Sequence, residues 1–76
     1  MALEAVIKKA GLHRVVLEEY PEGVYVLVFE TEDSQWPCQD HLQDNWEIAK
    51  LQGREDFGIP ENGWVEIPDT HVMDQP

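Results

Sequence analysis

The stretch Tyr20-Pro21-Glu22-Gly23 constrains this chain more than any other. It separates two apolar runs, Arg14 to Tyr20 and Val24 to Thr31. Pro21 fixes φ where a type I turn needs it, and Gly23 supplies the left-handed residue that closes a three-residue hairpin loop. Such a turn sets the register, pairing Tyr20 with Val24, Glu18 with Val26, Val16 with Val28 and Arg14 with Glu30. One face of the hairpin then carries Val15, Leu17, Leu27, Phe29 and Tyr25. The other carries Val16, Val24, Val26, Val28 and Tyr20, interspersed with Arg14, Glu18 and Glu30. The second strand is apolar on both faces, the pattern of a central strand covered on both sides.

Around this hairpin the remaining periodicities build an α+β domain. Leu3, Val6, Ile7 and Ala10 fall at helical spacing and Gly11 is a helix stop, so residues 1–12 are expected to hold a short helix. Asp40 followed by Gln43 resembles a capping box, with Pro37 as an alternative earlier start. The main helix is expected to run to about Glu55, with Leu42, Trp46, Ala49, Gly53 and Phe57 on one stripe. Pro60-Glu61-Asn62-Gly63 reads as a turn, and Trp64 to Ile67 as a short strand ended by Pro68. The expected order is αββαβ in a single domain, 1–76. A ββαβ core spans 13–67, and 68–76 form a loose tail. The last strand is expected to run parallel to the second through a right-handed crossover.

Charge excludes several function classes. Sixteen acidic residues against five basic ones give a net charge of −11. That field opposes direct binding of nucleic acid or of an anionic membrane surface. The longest apolar run, Val24 to Phe29, is far shorter than the roughly 20 residues of a membrane span. Residues 1–12 include Glu4, Lys8 and Lys9, which is unlike a signal peptide. A lone Cys forms no internal disulfide and no zinc framework. The expectation is a soluble cytoplasmic protein without a cofactor.

No chemistry-bearing motif stands out. Cys38 has His41, Asp40 and Asp44 nearby, but those neighbours are acidic where a nucleophilic thiol needs a positive setting. A small residue packed against Trp46 accounts for it as well. His41 with Asp40, Asp44 and Glu47 would sit at metal-sharing spacing on a helix, a pattern that a solvated helix face in so acidic a chain produces by chance. The pair Glu18-Glu19 lacks the enclosed pocket that separates the pKa values of a catalytic acid and base. No catalytic, cofactor-binding or metal residue is therefore assigned. Trp36, beside a proline in a polar loop, is either an exposed anchor for a partner or a lid on a small core.

The segments Gly23-Val24-Tyr25-Val26, His41-Leu42-Gln43-Asp44-Asn45-Trp46-Glu47-Ile48-Ala49-Lys50 and Gly58-Ile59-Pro60 resemble small uncharacterised bacterial proteins of hairpin-plus-helix type. A hairpin followed by a loop containing Cys38 and a helix carrying Asp40, Leu42, Ala49 and Lys50 is also similar to the amino-terminal domain of HicB-type antitoxins. That resemblance implies a protein that neutralises a basic toxin.

The function expected from the residues is a small acidic interaction or self-association module without catalysis. The alternative is an acidic inhibitor of a basic nuclease or nucleic-acid-binding protein. Counting faces favours a homodimer. The helix covers one side of the hairpin and leaves Val16, Val24, Val26, Val28 and Tyr20 as a patch too large for a soluble monomer to expose. The first helix, through Leu3, Val6, Ile7 and Ala10, could fold across that face and close a monomer. Alternatively, two such faces could pack together, or two sheets join edge to edge, in a two-fold dimer.

Overall fold

The computed structural model describes residues 1–74. Five strands form one antiparallel sheet: β1 (Ala2–Val6), β2 (Arg14–Tyr20), β3 (Gly23–Phe29), β4 (Gln39–Gln43) and β5 (Val65–Ile67), in the order β4-β3-β2-β1-β5. One helix, α1 (Trp46–Phe57), packs on one face against β2, β3 and β4. The class is α+β, but the order is ββββαβ.

The hairpin forms at the expected turn with a loop one residue shorter. Tyr20 pairs with Gly23, Val16 with Leu27 and Arg14 with Phe29. Gly23 has φ of +149°, and a Cβ there would run into the Gln43 carbonyl of β4. The glycine thus serves a close strand approach as well as the turn. A one-residue change of register moves every side chain of one strand to the opposite face. Val15, Leu17, Val24, Val26 and Val28 therefore lie together under the helix, with Ala5, Ile7, Ala49 and Ile59. Val16, Leu27 and Phe29 lie on the other face with Ala2 and Val72.

Three further expectations are corrected. The first segment is a strand, not a helix. Leu3, Ala5 and Ile7 satisfy a period of two as well as Leu3, Val6, Ile7 and Ala10 satisfy the helical one. The seven-residue β2, apolar on both faces, gains a ladder along its free edge from β1. Residues 39–43 are the edge strand β4, because the helix is capped later. The Asn45 side chain accepts from the Ile48 amide at 2.9 Å, the usual role of an N-cap amide oxygen. Leu42 consequently sits on β4, while Trp46, Ala49, Gly53 and Phe57 do face the sheet. The last strand, β5, lies antiparallel to β1 at the far edge, with Val65 opposite Glu4 and Ile67 opposite Ala2. Among the described residues β5 pairs with β1 alone, so the expected parallel crossover is not formed. Val65, on this short strand, is exposed.

The face opposite the helix is covered from within the chain. The described part of the expected loose tail, residues 68–74, is a strap across it; 75 and 76 lie outside the described residues. Val72 is buried against Ala2, Val16, Leu27 and Phe29. Glu18, only 1% exposed, anchors the strap. Its carboxylate accepts from the Thr70 and His71 amides, each at 3.0 Å, and from the Thr70 hydroxyl. The Tyr20 hydroxyl accepts from the Met73 amide at 3.1 Å, and burial raises the pKa of that phenol. The amino-terminal ammonium pairs with Asp69 at 2.7 Å. Among the described residues, no helix is long and apolar enough to cross a membrane.

Candidate interaction surface

The strap covers only part of its face. Along β1 and β2 the side chains on this face run Ala2, Glu4, Val6 and Tyr20, Glu18, Val16, Arg14. Val6 pairs with Arg14, and Arg14 with Phe29. The strap lies over Ala2, Val16 and Glu18 and reaches Phe29 through Val72. Beyond it the Arg14 guanidinium carbon lies over the Phe29 ring, 3.9 Å from the centroid. This geometry joins a cation to the negative face of an aromatic ring. One Arg14 nitrogen donates to the Ser34 carbonyl at 3.0 Å, and another meets a Glu4 carboxylate oxygen at 3.4 Å.

Those bonds fasten the loop between β3 and β4 to the sheet. Within the loop, the Thr31 amide donates to the Ser34 hydroxyl at 3.1 Å and the Ser34 amide to the Thr31 carbonyl at 3.3 Å. The Cys38 amide returns to the Val28 carbonyl at 2.8 Å. Trp36 is thereby presented on a braced loop. Arg14, Phe29, Ser34, Gln35, Trp36, Thr70 and Val72 line an open cleft of about 360 Å³ between loop and strap.

Among the described residues the three most exposed large apolar side chains are Val6 (65%), Val65 (65%) and Trp36 (58%). Singly exposed apolar residues are ordinary, whereas a contiguous group rimmed by polar residues marks a contact site. These three are grouped on one face. Val65 stands across from Glu4, two residues from Val6 on the same side of β1, and Val6 adjoins the Arg14–Phe29 stack that leads to Trp36. The group crosses four neighbouring strands, from β5 to β3 and its loop. At about 4.8 Å between neighbours this is roughly 15 Å from the first strand to the last. Glu4 lies within it, and the exposed Glu30, Glu32 and Asp33 lie along the loop side.

The structure distributes the residues first grouped as one interface. Val24, Val26 and Val28 are under the helix, Val16 is under the strap, and all four are at most 1% exposed. Tyr20 is half-buried, edge-on to Tyr25 with ring centroids 5.4 Å apart. These five do not form one open face, and of the six only Trp36 is exposed. Val6, Val65 and Arg14 were missed as site residues. Reading Val6 as a helix-core residue hid it, and the strand spacing of Leu3, Ala5 and Ile7 is the signal that would have turned it outward.

The other candidates have no shared geometry. Strand alternation in β4 sends Asp40 and His41 to opposite faces, so the helical metal spacing does not arise. The His41 Nε2 lies 3.2 Å from the Gln39 side-chain oxygen. Cys38 is exposed and unpaired. Glu18 is a structural anchor and Glu19 faces the other way. Among the described residues, no group of three His, Cys, Asp or Glu side chains converges on a point that could hold a metal ion. Comparison of the chain with family models, curated proteins and solved structures finds no match.

Proposed function

We propose that this protein is a non-catalytic interaction module that docks a basic protein partner on the open end of its strap face. The observation that carries this reading is the exposure of Val6, Val65 and Trp36 on one face of the sheet, on either side of the Arg14–Phe29 stack. Aromatic and arginine side chains dominate the energetics of protein interfaces, and a polar rim excludes water around them. The net charge of −11 and the flanking Glu30, Glu32 and Asp33 select a positively charged partner and accelerate its encounter. A basic nuclease or nucleic-acid-binding protein has that charge, which makes neutralisation of such a protein the specific form of this function. The exposed free thiol of Cys38 suits a reducing compartment such as the cytoplasm.

The test is affinity capture from extracts of the source organism with the wild-type protein and with the Trp36→Ser and Val6→Ser variants. A basic partner held at about 0.05 M salt, weakened at about 0.5 M and lost from both variants is the expected result. A partner retained equally by the variants refutes the surface. An acidic partner refutes the charge argument.

A further inference from the structure

The two edges of the sheet differ. At one end β5 has three residues and is followed directly by Pro68, the protected form of an edge. At the other end β4 has five residues, Gln39 to Gln43, with no proline or lysine inside it, and among the described residues it pairs only with β3. An edge of this kind is a template for a further strand. Exposed apolar groups flank it on both sides of the sheet. Leu42 lies on the strap side, opposite Tyr25 in the ladder. On the helix side, Gln52 receives a 2.6 Å hydrogen bond from Gln43, and exposed Ile48 stands one helical turn before it.

We infer that a second copy of this chain pairs antiparallel with β4, about a two-fold axis at His41, to form a ten-stranded sheet. The order Gln-Asp-His-Leu-Gln is suited to its own reverse. The pairing sets Gln39 opposite Gln43 of the second copy, where two amides can bond. It sets Asp40 opposite Leu42 of the second copy, so that the two Asp40 carboxylates are diagonal to each other rather than directly opposite, a repulsion that salt screens. Leu42 and its copy become diagonal neighbours, within side-chain reach across a strand pair. The two helices come side by side with Ile48 between them. An isologous contact of this kind uses both open edges at once and closes the assembly. It leaves Val6, Val65 and Trp36 free, so it stands apart from the proposed partner site.

Charge gives the contact a signature of its own. Two copies of charge −11 repel each other, so added salt strengthens this dimer, whereas it weakens the capture of a basic partner. A five-residue strand pair is about 17 Å long, which belongs to the small class of interfaces and to micromolar affinity. Sedimentation equilibrium between about 10 and 500 µM, at low and at about 0.5 M salt, reads it directly. The expected result is a monomer–dimer equilibrium shifted to dimer by salt, with the amides of residues 39–43 slowed in hydrogen exchange as concentration rises. Leu42→Glu and Ile48→Glu, on opposite sides of the edge, each weaken dimerisation about tenfold or more, a loss of about 1.4 kcal/mol or greater. Leu51→Glu adds the same charge at an exposed helix position that faces Trp46 and Glu61 instead, and changes the constant less than about threefold. A monomer throughout the range at high salt overturns the inference. So does a dimer that all three variants weaken alike, or one whose β4 amides exchange at an unchanged rate.

Discussion

Replacing Glu18 tests whether the strap is held by chemistry or merely rests on the sheet. The carboxylate is buried and takes three hydrogen bonds from Thr70 and His71. Hydrogen bonds to a charged group contribute about 1.5–3 kcal/mol each, so simple addition gives about 5–9 kcal/mol. That sum is an upper bound, since the donors need not remain buried once their acceptor is gone. In Glu18→Ala the strap can lift, and water then satisfies the Thr70 and His71 amides. The loss is capped by what the strap itself contributes. Burial of Val72 accounts for about 2 kcal/mol. Renewed exposure of parts of Val16, Leu27 and Phe29 adds about 1–2 kcal/mol more. The expected cost is therefore about 3–4 kcal/mol, most of the stability of a domain this small. Glu18→Gln keeps the shape but turns an N–H₂ group towards donors, and should recover less than half of that loss.

Urea unfolding followed by Trp fluorescence measures the cost, and hydrogen exchange at Thr70, His71 and Met73 locates it. Strap amides that lose protection while the β2–β3 ladder keeps it would show local release. A cost under about 0.5 kcal/mol with those amides still protected would falsify the anchor role of Glu18. Uniform loss of protection across the sheet would instead mean that the strap and the sheet unfold as one unit.

Two further outcomes follow from the packing and the strap. Gly53→Ala puts a Cβ 2.7 Å from Trp64 Cζ2, so the indole must shift. Although alanine is the better helix former by about 1 kcal/mol, urea melts should show a net loss of about 1–2 kcal/mol. Equal or greater stability would mean that Trp64 yields without cost. The ion pair between the amino terminus and Asp69 gives the strap a pH window. The hydrogen bond between them raises the ammonium above its ordinary 8.0 and lowers the carboxyl below its ordinary 3.8. Its contribution is complete between those two values, fades as pH falls through the depressed carboxyl and fades again as pH rises through the raised amine. Amino-terminal acetylation should accelerate exchange of the strap amides at pH near 6 and have no effect at either extreme. An acetylation effect independent of pH would refute the pairing.

What the sequence made legible depended on how far apart the deciding residues lie. The hairpin turn and the helix stripe of Trp46, Ala49, Gly53 and Phe57 were readable because each is local. The hairpin register was not. Val24 to Phe29 is apolar at every position except for the Tyr25 hydroxyl, so neither register leaves a visibly wrong side chain in the core. The residue that breaks the tie is Glu18, which in the observed register shares the strap face with Leu27. Read alone, a glutamate in Val15-Val16-Leu17-Glu18 marks the solvent side. It is buried because its donors arrive 52 and 53 residues later in the chain, a separation that no periodicity reports.

A central strand apolar on both sides requires two covers. The second cover is the chain's own strap, and its length explains where the candidate surface falls. Residues 68–74 span at most about 25 Å when extended. Two of them, Thr70 and His71, are held over Glu18, and Val72 turns in over Phe29. The molecule measures 29 by 26 Å across its two longer axes, so a single thread of this length cannot cover the whole face. Arg14, braced by Phe29 and the Ser34 carbonyl, holds the β3–β4 loop beside the strap rather than over the remaining gap. Val6 and Val65 are left in water at the end of β1 and β5 that neither segment reaches, with Trp36 on the loop across the gap. An apolar group stays exposed at this end because none of the described segments of the chain lies over it.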